Sequence, residues 1–222
     1  YGISGDLLLW LKAFLSNRSQ TVKVNGRLSA STDVISGVPQ GSVLGPTLFL
    51  LYINDVADLF RDTSMKITLF ADDIQLYSSL PPDNVSLQLA INKLVLCSET
   101  WQLQLAPEKC FHCPIRGSHC KAPVSTYSIG LQKISSIDTI RDLGVFINNK
   151  QTSRSHIDNI VHRALTRIRL ILKCFRSRDH NLLTRAYTIY ARPMLEYCSP
   201  IWSPHYKQDI NKIERTQRYF TR

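Results

Sequence analysis

Apolar side chains near the start of the chain recur with a helical period. Leu7, Leu8, Leu11, Phe14 and Leu15 fall at i, i+1, i+4, i+7 and i+8, which predicts one buried helix face, with Ser4 placed to cap it. The period then shortens. Val22 and Val24 alternate with polar neighbours and Asn25-Gly26 follows, predicting a hairpin whose return strand runs through Leu28 to Ile35. After the glycine-rich stretch GVPQGSVLGP, Pro46 suits a first helical turn, and Leu48, Phe49, Tyr52, Val56, Leu59 and Phe60 form a broad apolar stripe ending near Arg61.

Met65, Ile67 and Leu69 alternate as one strand and Ile74 and Leu76 as another, with Ala71, Asp72 and Asp73 at the tip of a tight hairpin. Pro81-Pro82 breaks the chain. Asp83 can cap a helix from about Val85 to Leu103, with Trp101 on its buried side. Short strands are expected around Cys110 to Ile115, Ser125 to Ile129 and Ile140 to Ile147. From Gln151 the pattern is helical only: His156 to Phe175, Leu182 to Tyr197 interrupted by Pro193, and Gln208 to Arg222.

Charge changes where the pattern changes. Residues 1–149 hold 12 Lys+Arg and 12 Asp+Glu, whereas residues 150–222 hold 15 and 5, which is the whole net charge of +10. A domain boundary is therefore expected near Asn149, with a polyanion held mainly by the basic third. The bland alternative is that these cations only solvate helix faces.

The longest apolar run, Leu48 to Ile53, is far below the ~20 residues that span a bilayer, and LLLWLKAFL lacks a basic leader. An intracellular protein, cytoplasmic or nuclear and without a membrane partner, is expected. The chain opens at Tyr1, which suggests a segment of something longer. Its six cysteines are expected to be reduced thiols. Cys110, His112, Cys113, His119 and Cys120 offer five metal-capable side chains, but their spacing matches neither a repeated Cys-x₂-Cys pair nor a zinc knuckle.

Two adjacent carboxylates at a hairpin tip repel unless a cation or proton compensates them. Hard divalent cations take one or two carboxylates together with phosphates and water, so Asp72 and Asp73 are candidate metal ligands; a plain exposed turn is the alternative. Gly37, Gly41 and Gly45 permit close backbone approach, Pro39 stiffens the loop, and Gln40 offers a donor and an acceptor without charge. Those properties suit contact with a base or sugar, although a glycine-rich connection into a helix would look the same.

Together, GVPQGSVLGPTLFLLYINDV and FADD resemble the reverse transcriptases of non-LTR (LINE-type) retrotransposons. SGDLLLWLKAFLSNRSQTVKVNG resembles the family's stretch upstream of that loop, WQLQLAPEKC its segment with the palm lysine, RDLGVFI its primer-grip strand, and PMLEYCSPIWSP with IERTQRYFTR its helical thumb. Parts of the glycine loop are shared with group II intron and retron enzymes; the thumb segment favours the retrotransposon side.

The resemblance implies an α+β fold, a partial polymerase palm whose antiparallel sheet packs on helices, in residues 1–149, followed by an all-helical basic thumb in residues 150–222. It implies RNA-directed DNA polymerisation with two Mg²⁺ ions, Mn²⁺ being an alternative, an RNA template, a DNA primer and deoxynucleoside triphosphates. Asp72 would be the firm metal ligand and Asp73 a weaker one; Lys109 would stand near the triphosphate as a proton donor. Pro39, Gln40, Gly41, Phe70 and Ala71 would border the template and nucleotide, and Leu143, Gly144 and Val145 would form the primer grip. Arg163, Arg167, Arg169, Lys173, Arg176 and Arg178 would meet phosphates.

One departure stands out. Such polymerases take a further metal-binding aspartate from a strand upstream of the glycine loop, and Asp6 and Asp33 are poorly placed to replace it. A truncated palm and thumb, inactive alone and exposing apolar surface, is therefore expected, and a catalytically inactive nucleic-acid-binding remnant is the alternative.

Overall fold

The computed structural model describes residues 1–61, 63–78, 84–115 and 126–221. Helices and strands are mixed, and the chain divides into two compact units, residues 1–104 and 105–222. The change of composition near Asn149 lies inside the second unit.

In the first unit, α1 (Gly5–Leu15) follows an extended Ser4 whose side chain makes no capping bond. The expected buried face is not covered. Leu7, Leu8, Leu9 and Trp10 are exposed and α1 buries no residue, although Trp10 and Phe14 stack on each other. The expected long hairpin is nested instead. β1 (Arg18–Gln20) pairs with β4 (Thr32–Val34), and β2 (Lys23–Val24) pairs with β3 (Arg27–Leu28) across Asn25-Gly26. Both turn residues have positive φ, 49° and 81°, the type I′ geometry that Asn-Gly favours. The return strand is interrupted at residues 29–31, where the Ser29 hydroxyl accepts the Val22 N–H.

The apolar stripe after the loop forms two helices, α2 (Gly45–Ile53) and α3 (Asp55–Asp58), rather than one. Bonds from the N–H groups of Ala57 and Leu59 to carbonyls three residues back tighten the chain after Asn54. Val56 and Phe60 are buried, as the stripe requires, and so is Ile53 beside it, but Tyr52 is exposed. Its ring stands edge-on to Trp101, and its hydroxyl donates to the Trp101 carbonyl. β5 (Met65–Phe70) and β6 (Asp73–Ser78) form the expected antiparallel hairpin. Phe60, Met65 and Ala90 bury together, with Ile67, Leu76 and Leu87 packed on them, so α4 (Asn84–Thr100) covers the hairpin's inner face. Pro81, Pro82 and Asp83 lie outside the described residues.

The second unit begins with a 3₁₀ turn at Pro107–Lys109. β7 (Phe111–His112) pairs in parallel with β10 (Ser135–Ser136), and between them β8 (Ser128–Ile129) pairs with β9 (Gln132–Lys133). The single strand expected over Ile140 to Ile147 is a hairpin, β11 (Thr139–Asp142) and β12 (Val145–Asn148), because Leu143-Gly144 makes a two-residue turn. The helices are α5 (Arg154–Cys174), α6 (His180–Tyr190), α7 (Arg192–Glu196), α8 (Ser199–Trp202) and α9 (Lys207–Thr221). Asp179 caps α6, accepting the Leu182 N–H at 2.7 Å. Pro193 opens α7 rather than merely kinking a longer helix.

The inward stripe of α5 carries the core. Ile157, Ile160 and Ala164 pack with Val145, Leu195 and Trp202, and further along Ile168 and Ile171 pack with Ala186 and Ala191. Among the described residues the strands pair only two by two, so the broad sheet expected of a palm is not seen. Apart from β5 and β6 they are two to four residues long, offering few ladder bonds to a third strand. No helix of the described residues is long and apolar enough to cross a membrane.

Candidate active site

Strand alternation sorts the β5–β6 hairpin into two faces. Ile67 opposes Leu76 and Leu69 opposes Ile74 on the packed face, whereas Phe70 opposes Asp73 on the exposed one. Ala71 and Asp72 are then the two loop residues. Ala71 adopts a φ of 53°, a conformation that disfavours any residue with a β-carbon by about 1–2 kcal/mol. This strained turn holds Asp72 and Asp73 side by side, both exposed. Two carboxylates in the open suit a hard cation, but no group of three His, Cys, Asp or Glu side chains placed to hold a metal occurs among the described residues. The hairpin therefore brings together two carboxylates, without a third metal-capable side chain beside them among the described residues.

The glycine loop is fixed from within. The Ser42 hydroxyl donates to the Pro39 carbonyl at 2.7 Å and accepts the Gly45 N–H at 3.0 Å. A β-carbon on Gly45 would lie 2.9 Å from both the Pro39 carbonyl oxygen and Ser42 Oγ, so this position tolerates only glycine. Gly37 and Gly41 take φ of 75° and 80°, which turns the chain and leaves Gln40 exposed at the tip. Arg18 anchors the other end. Its Nη2 donates to the Gly37 carbonyl at 2.6 Å and its Nε to the Leu15 carbonyl at 2.8 Å. Sequence reasoning missed both Arg18 and Ser42; a lone Arg in a hairpin and a Ser in a loop carry no periodic signal.

Lys109 lies in the second unit, exposed at the end of its 3₁₀ turn. Of the zinc candidates, Cys110 and Cys113 are pushed toward the neutral thiol, chiefly by burial and then by Glu108 and Asp138 respectively. Cys110 also donates to the Ala106 carbonyl. His119 and Cys120 lie outside the described residues. The five described cysteines are free thiols, as expected.

The Leu143-Gly144 turn is held more firmly than the sequence suggested. Both residues have positive φ, 42° and 90°, an unfavourable state for a leucine. The Tyr197 hydroxyl donates to the Leu143 carbonyl at 2.9 Å, and the Tyr197 ring stands 3.4 Å from where a Gly144 β-carbon would be. Trp202 Nε1 donates in turn to the Tyr197 carbonyl at 2.7 Å. On the other side of the turn, the Phe146 N–H donates to His156 Nδ1 at 3.2 Å, and the His156 ring lies against Trp202. The segment PMLEYCSPIW thus clamps RDLGVFI, with Leu143 and Tyr197 54 positions apart in the chain.

His156 is only 2% exposed, and burial lowers its pKa below 6.5, with the Arg163 charge acting in the same direction. The folded chain therefore favours the neutral ring that accepts from Phe146. The resulting stability is complete above pH 6.5 and declines as pH falls below it, by at most about 1.4 kcal/mol per pH unit, until the folded pKa is passed. His156→Gln should flatten this dependence. Urea unfolding of both proteins at about pH 7.5 and 5.5 measures it; equal pH responses would contradict the assignment.

Arg163, Arg167, Arg169, Lys173, Arg176 and Arg178 are all exposed, and no salt bridge to a described carboxylate is seen for any of them. They do not share one face. At ~100° per residue, the Arg163/Arg167 pair and the Arg169/Lys173 pair lie about 120° apart around α5. Arg176 and Arg178 follow the helix, and Arg178 donates to the Leu172 carbonyl, satisfying an end-of-helix acceptor.

Residues 2–145 match the family model described as reverse transcriptase (RNA-dependent DNA polymerase). The chain is 27% identical over 223 residues to the RNA-directed DNA polymerase from mobile element jockey of Drosophila melanogaster, covering 96% of this chain and 24% of that protein. It is 26% identical over 224 residues to the probable RNA-directed DNA polymerase from transposon X-element of the same fly, covering 96% and 24%. The corresponding protein from transposon BS of that species is 27% identical over 223 residues, covering 93% and 24%. The chain thus spans about a quarter of the length of these curated relatives. No solved structure matches the chain.

Proposed function

Because the chain belongs to the reverse transcriptase (RNA-dependent DNA polymerase) family, we propose that it is the part of a non-LTR retrotransposon polymerase that carries the catalytic hairpin and the nucleic-acid-holding helices. The observation that carries this reading is the exposed Asp72-Asp73 pair on a strained two-residue turn. An ordinary surface turn would relax to Gly or Asn at position 71; strain is retained where geometry matters.

Asp72 is the principal metal ligand and Asp73 the weaker one. Bound Mg²⁺, or Mn²⁺ in its place, would activate a primer 3′-hydroxyl and stabilise the departing pyrophosphate. The rest of the ligand set comes from nucleotide phosphates, water and protein groups beyond the described cluster. Pro39, Gln40 and Gly41, with Phe70 and Ala71, border the template and nucleotide; the hydrogen bonds from Arg18 and Ser42 hold that loop in one shape. Lys109 serves the triphosphate. Leu143, Gly144 and Val145 form the primer grip, and the exposed half of α5 with the loop after it holds duplex phosphates. Residues 1–149 act as a partial palm and residues 150–222 as a thumb, in the cytoplasm or nucleus, where RNA template and deoxynucleotides are at hand.

The incomplete carboxylate cluster favours a second reading, an inactive nucleic-acid-binding remnant. One assay separates them. A polymerase that includes these residues, given a primed RNA template, deoxynucleotides and Mg²⁺, should add nucleotides to the primer. Folded protein that binds the primed template without extending it would establish the remnant instead.

A further inference from the structure

The loop between β12 and α5 and the loop between α8 and α9 face each other across a cleft of about 790 Å³. Lys150, Arg154, His205 and Lys207 line it, and among the described residues no carboxylate does. No salt bridge to a described acidic residue is seen for any of the four. Arg154 is instead oriented by a neutral partner, its Nη2 donating to Gln208 Oε1 at 2.9 Å. Basic side chains gathered in a concave site without a counter-charge raise the local potential and draw in an anion. The first turn of α5 adds to this field, since Ser153 makes no side-chain cap there.

An aromatic ring completes the site. Tyr206 lines the same cleft and is 72% exposed. Cations that follow a backbone beside an open aromatic face are the arrangement that holds single-stranded nucleic acid, where bases are free to stack. The size agrees, for ~300–1,000 Å³ encloses a ligand of nucleotide dimensions rather than the flank of a duplex. The cleft is also distinct from the cations on the middle and end of α5.

We propose that this cleft binds a short stretch of single-stranded nucleic acid, its phosphates held by Lys150, Arg154 and Lys207 and one base stacked on Tyr206. The proposal rests on the reading of the chain as a nucleic-acid enzyme, but not on the duplex-binding role of α5. Fluorescence anisotropy with the 222-residue chain tests it, using a short labelled RNA, the same sequence as DNA, and a blunt duplex. Lys150→Glu combined with Lys207→Glu should weaken single-strand binding by at least tenfold and duplex binding by less than about twofold. Tyr206→Ala should weaken single-strand binding about tenfold, within the range expected for one lost stack.

Arg163→Glu with Arg167→Glu should do the reverse. If that pair leaves the duplex unaffected while the cleft variants still weaken the single strand, the α5 assignment fails and the cleft stands. Preference for the RNA or the DNA strand identifies template or primer as the occupant. Unchanged single-strand affinity in the charge-reversed cleft overturns the proposal. So does an effect of charge reversal with none of Tyr206→Ala, which would leave a simple anion site. Melting curves on each variant guard against loss of fold.

Discussion

Asp72→Asn, in a polymerase that includes these residues, is expected to lower primer extension by on the order of 10³-fold or more while leaving folding unchanged. The side chain is exposed in a hairpin loop, so removing its charge should alter stability by less than about 0.5 kcal/mol. A thousandfold loss corresponds to about 4 kcal/mol of transition-state stabilisation, a reasonable share for a ligand that places a divalent cation. Asp73→Asn should cost less, on the order of tenfold. Asp58→Asn is the control, because Asp58 makes an exposed pair with Arg61 at 2.7 Å. Steady-state extension with circular dichroism on the same preparations reads all three. Retained extension by the Asp72 variant would remove the catalytic assignment.

Trp202→Ala should be the most damaging single change to stability, by about 3–5 kcal/mol. Trp202 is 3% exposed and belongs to the cluster with Val145, Ile157, Ile160, Ala164 and Leu195. Its loss also removes the hydrogen bond to the Tyr197 carbonyl and the wall against which His156 rests. The effect should therefore reach the Leu143-Gly144 turn, which Tyr197 and His156 hold from opposite sides. Denaturant unfolding measures the first consequence. Hydrogen exchange at Phe146, whose N–H is bonded to His156, measures the second. Faster exchange throughout the unit with no extra loss at Phe146 would show that the clamp is not a unit.

Elements with a strong local signal were legible in the sequence. Asn25-Gly26 gave its hairpin, alternation from Met65 to Leu76 gave β5 and β6, and the helical pattern from His156 to Phe175 gave α5, though not which face it buries. What failed depended on partners distant in sequence. The apolar face of α1 looked buried because period alone reports amphipathicity and not what covers it. The Leu143-Gly144 turn falls inside the strand expected over Ile140 to Ile147, because leucine at positive φ is locally disfavoured; Tyr197 and His156, both beyond the hairpin in the chain, hold it.

The candidate site divides the same way. FADD and the glycine loop are each an unbroken stretch, so the resemblance and the chemistry proposed from it rest on a few adjacent residues. The anchors that shape the glycine loop, Arg18 and Ser42, act through hydrogen bonds to backbone carbonyls that no side-chain pattern reveals. The basic cleft had no signal at all in the linear chain. Lys150 and Lys207 stand fifty-seven positions apart and meet only because α5 and α9 pack along each other.

The central claim is that the tip of the β5–β6 hairpin holds a divalent cation, and paramagnetic broadening tests it most directly. Mn²⁺ added to isotope-labelled protein with a deoxynucleoside triphosphate present should broaden the amide signals of Phe70 to Ile74 first, and Asp72→Asn should abolish that broadening. Uniform broadening elsewhere, or signals at the hairpin that persist unchanged in the unmodified protein, would contradict it.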